Sequence, residues 1–439
     1  MILKKICFLF LLITNPIIAQ NDFYIVGKNK ESVTIPFKLV NNLIVIDAEV
    51  NGKKLSFLLD TGIEKTILFN LKFSDSLTMN NVDKIQLRGL GDGEPMNALV
   101  SKKNLIRLKD VINPNHTMYI IIDNLFDLSA KMGIDINGII GGDLFKNFIV
   151  RINYSSKKIT FYDPKKFKYK KCDKCITLPL DFYSNKPFIN VFVENYLGEE
   201  FEVKLLIDSG GGDALWLFKN SHPKILIGEN SYIDFLGRGL NGDIHGKRSK
   251  ISKLKIGDFT FENAPVSYPD STAILTTQLN KERNGTLGAE ILKRFNIYYD
   301  YPGRKITLKK NGFFNDSFLY NKSGIEIVYG GEMLVKEKKS RFSENNSMEG
   351  NSITEVIYSY GLAYKPSYQI SFIRDGSPAH IAGLMVGDFI LEINGKPAYN
   401  KKMEEIIHIL SQDENKKIKL KVDRDGRHLK FSFVLKNMF

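Results

Sequence analysis

The stretch Phe57–Phe69, FLLDTGIEKTILF, carries an acid and a small hydroxyl residue directly after three apolar positions and then returns to apolar residues. Leu205–Phe218, LLIDSGGGDALWLF, repeats the arrangement with Asp208, Ser209 and Gly210 in place of Asp60, Thr61 and Gly62. The likeness spreads outward from both. GIIGGDLFKNFIVRINYSSKKITFY (138–162) aligns without gaps with GTLGAEILKRFNIYYDYPGRKITLK (285–309) at an offset of 147. The two acids are 148 apart, and RGLGDG at Arg88 answers RGLNGD at Arg238 with an offset of 150. Three landmarks in one register mark an internal duplication, each copy about 130 to 150 residues long.

Strands dominate both copies. LIVIDAEV, KLSFLLD, IVRINY and KITFYD in the first, and FINVFVEN, EVKLLID, NIYYDY and KITLKK in the second, are rich in β-branched or aromatic residues, and several alternate with period two. Turns at Asn51-Gly52, Leu197-Gly198 and Pro302-Gly303 separate them. Each copy has one short helix candidate, GGDLFKNF or GAEILKRF. The pattern predicts two small β lobes.

A lone carboxylate at a strand end caps nearby backbone amides. Two brought together by a pseudo-twofold axis are a different object. Like charges about 3 Å apart cannot both ionise, so the pair shares one proton. One acid then takes a proton from a water between them while the other protonates a peptide carbonyl, and no metal or cofactor is required. Thr61 and Ser209 supply hydroxyls to hold the acid loops across the junction, and Gly62 and Gly210 let the backbone turn tightly and offer amides to the carboxylates. Ile139-Ile140-Gly141 and Thr286-Leu287-Gly288 follow the acids by 81 and 80 residues and are expected to back each loop.

LLDTGIEKTIL followed by GIIGGDLF resembles the retropepsin-like and pepsin-like aspartic proteases, in the exported bacterial form, over roughly Pro36 to Lys310. The resemblance implies that Asp60 and Asp208 are the catalytic pair of an aspartic endopeptidase and that β-hairpin flaps close over the substrate. The flaps are assigned to Arg88, Gly89 and Gly91 in the first copy and Arg238, Gly239 and Gly242 in the second. Two flaps would be retropepsin-like. The chain departs from the family pattern at Ile63 and Gly211, which replace the small residue often found after the glycine, and at Ser209, which replaces threonine. The GxSxG, HExxH and Walker patterns of other hydrolases do not occur.

Farther on, YQISFIRDGSPAHIAGLMVGDFILEINGKPA (368–398) resembles a PDZ domain through Ser377-Pro378-Ala379, Ala382-Gly383-Leu384, Gly387-Asp388 and Ile393-Asn394-Gly395. KKMEEIIHIL reads as an amphipathic helix and KIKLKVDRDGRHLKFSFVL as two strands around Asp-Gly. PDZ domains take an extended peptide along a strand and hold its terminal carboxylate in a loop of amides. That loop is placed at Gly324, Ile325, Glu326 and Ile327, with 361–364 as the rival, and the polar stretch 332–367 is expected to be a loop insertion.

The totals agree with several domains. A chain of 439 residues with 43% apolar and 25% charged residues exceeds what one core of about 250 to 300 residues holds. Residues 1–19 read as a signal peptide, two lysines followed by an apolar run shorter than the roughly 20 residues of a membrane span, so a periplasmic or extracellular location is expected. Loss of Lys4 and Lys5 takes the net charge from +13 to +11. The lysine runs fall at expected junctions and exposed strands, and no nucleic-acid-binding module accompanies them. Cys172 and Cys175 lack the second pair or histidines of a zinc site, which leaves a local disulfide or two unpaired thiols as the expectation.

The resulting expectation is a mainly β protein: two duplicated β-barrel lobes, 20–168 and 169–312, in a pseudo-twofold pair, then a small α/β PDZ domain at 322–439. Protein or peptide substrates and a PDZ peptide ligand are its expected partners, and both lobes in one chain predict a monomeric protease. The alternative is a catalytically silent peptide-binding scaffold using the PDZ domain.

Overall fold

The computed structural model describes residues 22–71, 77–122, 128–346 and 352–438. The expected signal peptide lies outside them. Both copies fold into sheets with one strand order. In the first, Val111–Ile121, Thr66–Leu68, Gly138–Ile140, Lys53–Leu59 and Leu43–Val50 lie side by side, and in the second Phe259–Pro269, Leu215–Leu217, Gly285–Leu287, Glu200–Ile207 and Lys186–Glu194 do the same. The acid-bearing strand runs parallel to its neighbour in each, with Phe57 opposite Gly138 and Leu205 opposite Gly285. Gly138–Ile140 and Gly285–Leu287 are wholly buried, which explains their unbroken small and apolar character. Glycine opens each strand because the backbone is crowded. A Cβ on Gly138 would strike the Ile67 carbonyl, and one on Gly285 the Trp216 carbonyl.

A third sheet joins the copies. Its order is Cys175–Pro179, Lys305–Lys310, Phe295–Asp300, Ile149–Asn153, Lys158–Tyr162 and Ser32–Pro36. Ile149–Asn153 and Phe295–Asp300 pair antiparallel with Arg151 opposite Tyr298. That pair is separated by 147 positions, the offset of the repeat itself, so the pseudo-twofold axis passes through it. The Arg151 guanidinium stacks over the Tyr298 ring at 5.6 Å. One continuous apolar core extends from Phe23 to Leu308 through both lobes. The disulfide Cys172–Cys175 forms at the edge of this sheet.

The C-terminal unit has a separate core around Ile370, Ile390, Ile406 and Val422. The expected helix is Met403–Leu410 and the expected strands are Lys417–Arg424 and Arg427–Val434. Within the stretch read as a loop insertion, the described residues 332–346 and 352–367 are instead built into a ribbon. Ile325–Asn346 and Ser352–Ile373, 22 residues each, pair antiparallel from Ile325 opposite Ile373 outward. Alternation in Tyr360, Leu362 and Tyr364 puts these exposed side chains on one ribbon face.

Candidate active site

Asp60 and Asp208 stand where the two acid strands end. Their amides donate to equivalent carbonyls, Asp60 N to Ile140 O and Asp208 N to Leu287 O, both at 3.0 Å. Each carboxylate then accepts from the glycine two residues on, Gly62 N to Asp60 Oδ1 at 2.7 Å and Gly210 N to Asp208 Oδ1 at 2.9 Å. Gly211 N adds a second bond to Asp208 Oδ1.

The hydroxyls cross the junction reciprocally. Thr61 Oγ1 donates to Ile207 O at 2.7 Å and accepts from Ser209 N at 3.0 Å. Ser209 Oγ donates to Leu59 O at 2.8 Å and accepts from Thr61 N at 3.1 Å. Both residues are fully buried, so these four bonds hold the acid loops in one arrangement. Behind them, Gly142 N donates to Ile63 O at 2.8 Å and Ala289 N to Gly211 O at 2.7 Å, the backing expected of the apolar-glycine elements.

This grip brings the acids together. Asp208 stands beside Asp60, close enough that its charge acts on the Asp60 carboxyl. A Cβ on Gly210 would overlap the Asp60 carboxyl, and one on Gly62 would come within 2.8 Å of the Asp208 carboxyl carbon. Only glycine leaves room for both acids. Burial, and then the neighbouring Asp208, push Asp60 well above the usual aspartate range.

Two cations escaped sequence reading. Lys186 feels both carboxylates, and burial lowers its ammonium from the usual value. Arg283, held by Gly285 O at 3.1 Å and Thr286 Oγ1 at 2.6 Å, feels Asp208 and is lowered by burial to about 10. Neither lies in a motif, and only the tertiary fold carries them to the acids.

The two glycine-rich turns meet. Asn241 N donates to Leu90 O at 2.8 Å, Asn241 Nδ2 to Glu94 O at 2.6 Å, and Gly93 N to Asn241 O at 2.6 Å, while Gly89 N also donates to Asn241 Oδ1. A Cβ at Gly91 or Gly239 would strike the opposite turn's backbone. Arg238 pairs with Asp243 at 3.5 Å within its own turn, and Gly242 takes a positive φ of 122° at its tip. Asn241, the residue that makes most of these contacts, was not singled out in the sequence, although asparagine beside glycine is a turn signature.

Residues 46–144 match the aspartyl protease family and residues 369–424 match the PDZ domain family. The chain thus carries one segment similar to the aspartyl protease family and, farther on, one similar to the PDZ domain family. Among solved structures, the crystal structure of the aspartic proteinase from Irpex lacteus is similar at a TM-score of 0.42 and 14% identity, over 65% of this chain and 99% of that one. Comparison with curated proteins gives no match. Among the described residues, no helix is long and apolar enough to cross a membrane.

The PDZ corner differs from the sequence expectation. Gly324 turns with φ of 83°, but the amides of Ser323 and Gly324 both donate to Asn321 Oδ1 at 3.1 Å, and that of Ile325 donates to Ser323 Oγ at 3.1 Å. Local side chains thus satisfy two of the four amides assigned to a carboxylate, those of Gly324 and Ile325. The rival 361–364 is ribbon strand. Glu326 and Ile327 instead line, with Ile407 and His408 of the PDZ helix and Phe235 and Arg238 of the protease-family body, a cavity of about 1140 Å³.

Proposed function

We propose that this chain is an aspartic endopeptidase in which Asp60 and Asp208 activate one water. The convergence of their carboxyls, each packed against the glycine of the opposite acid loop inside the reciprocal Thr61–Ser209 grip, carries this reading. One carboxyl of the pair holds the shared proton and acts as the acid, while the other takes the proton of the attacking water. A neutral tetrahedral intermediate forms without a covalent adduct, and the titration belongs to the pair. The paired turns at Arg88–Gly93 and Arg238–Gly242 act as flaps that close over an extended peptide and exclude water. Both acids come from one chain, so the protease works as a monomer, and the leader-like first residues favour action after export. The PDZ domain takes a substrate or partner peptide beside its free strand edge at Glu326–Val328.

Peptide hydrolysis measured from pH 3 to 7 tests this. The wild type is expected to cleave in a pepstatin-sensitive manner and Asp60→Asn to be inactive. Equal, pepstatin-insensitive rates would leave a binding scaffold.

A further inference from the structure

The PDZ domain does not hang free of the protease-family body. Its Arg374, at the end of the ribbon strand, points into the base of the second glycine-rich hairpin. Arg374 Nε lies 3.1 Å from Asp234 Oδ1 and Nη2 3.3 Å from Asp234 Oδ2, with side-chain exposures of only 4% and 5%. The guanidinium also lies over the Tyr232 ring at 4.3 Å and bonds Asn321 O at 3.2 Å. Beside it, the PDZ ring of Phe372 sits 5.9 Å from Phe235 and 6.1 Å from His245, one on each strand of that hairpin.

Asp234 passes the contact on. Its Oδ2 accepts from Arg248 Nε at 2.8 Å, and Arg248 Nη1 reaches Asp213 Oδ1 at 2.9 Å and Ser267 Oγ at 3.0 Å. Asp213 Oδ2 is closed by Ser267 Oγ at 2.8 Å and Trp216 Nε1 at 2.7 Å. Asp213 lies in the loop that begins at Asp208, and its carbonyl accepts from Glu290 N behind that loop. The chain Arg374–Asp234–Arg248–Asp213 thus connects three parts of the fold through charges removed from water. Removing one member leaves a buried charge uncompensated, so the neighbours must move.

We propose that Arg374 is a positioning residue that sets the second hairpin and, through Asp234, Arg248 and Asp213, the loop carrying Asp208. The inference rests on the reading of Asp208 as one of the reacting acids, but its structural half stands apart from that reading. A PDZ domain so placed braces the lid of the cleft that it serves.

Full-length wild type, Arg374→Met, Arg374→Lys and Asp213→Asn are compared by backbone amide exchange and by hydrolysis of a short fluorogenic peptide. Arg424→Met, which breaks the Asp388 pair inside the PDZ domain, is the control. Arg374→Met is expected to speed exchange by at least about tenfold in Tyr232–Gly239 and in 211–217. It is also expected to raise KM without moving the pH profile, since the acids themselves are untouched. Arg374→Lys restores part of both effects, Asp213→Asn loosens Tyr232–Gly239 from the far end, and Arg424→Met changes neither hairpin exchange nor KM. Faster exchange confined to the PDZ domain in Arg374→Met, or an unchanged hairpin in Asp213→Asn, overturns the proposal. Absence of peptide cleavage by the wild type defeats only the catalytic reading, and the exchange data still decide the bracing.

Discussion

The two copies are alike at their centre and unlike at their rim. Around the acids, each hydrogen bond of the first copy has its mate in the second, down to Asp60 N on Ile140 O and Asp208 N on Leu287 O. At the rim the first hairpin strand, Val82–Leu87, is largely exposed, whereas Tyr232–Gly239 buries Asp234 under the PDZ domain. Followed through the strand pairing and the loop hydrogen bonds, the first copy has Ile85 and Glu64 where the second has Asp234 and Asp213. Lys65 pairs with Glu64 and Asp143 inside its own lobe. The proposed reaction needs one acid from each side, a reason for equal centres, while a neighbour docked on one copy only lets the rims diverge.

The largest test of that equality is removal of either acid. Asp60→Asn and Asp208→Asn are each expected to lower kcat/KM on a peptide by about a thousandfold or more, and a variant that keeps activity would break the central symmetry. Asn241→Ala attacks the rim. It removes the side-chain bonds that link the second turn to the Gly89 amide and the Glu94 carbonyl, a loss of about 1 to 3 kcal/mol, read as roughly a tenfold to hundredfold fall in kcat/KM. An unchanged value would show that the turns close without this side chain.

Asp60→Asn also probes stability. Because burial and Asp208 raise Asp60, the native state keeps a proton that the unfolded chain has released above the usual value of 3.8. Stability from this group therefore falls as pH rises through that window. The substitution is expected to raise the melting temperature at neutral pH, with the gain fading as pH drops below 3.8. A lower melting temperature at pH 7 would contradict the raised value. The smallest effect belongs to Ser209→Thr and Thr61→Ser, which exchange the two copies' hydroxyls and should each cost under about 1.5 kcal/mol in thermal unfolding.

The centre was legible because its requirements are local. An acid, a hydroxyl and a glycine in sequence specify a loop, and the repeat offset specified where the second loop lies, while the pairing of Arg151 with Tyr298 at that offset emerged only in the structure. The paired turns were legible from their shared offset, although Asn241 was not. What escaped depends on distant partners. Arg374 reads as an ordinary polar residue before a turn until Asp234 is placed beside it, and Lys186 and Arg283 acquire meaning only from the acids near them. The ribbon escaped because lysines and glutamates mask its period-two pattern. In the PDZ corner, the capping of the Gly324 and Ile325 amides was missed although its signal was present: asparagine and serine in NKSG are residues whose side chains cap nearby amides.

The central joining sheet has one more implication. Arg151 and Tyr298 meet on the axis, and the covalent connection between the copies runs instead through the exposed lysines Lys170 and Lys171 at the periphery. That peptide link supplies proximity and little else, so a nick there leaves two fragments still zipped along their shared strands. Such a cut molecule would be a heterodimer in all but origin, the arrangement that an unduplicated ancestor, one copy per polypeptide, would have needed in order to bring two aspartates face to face.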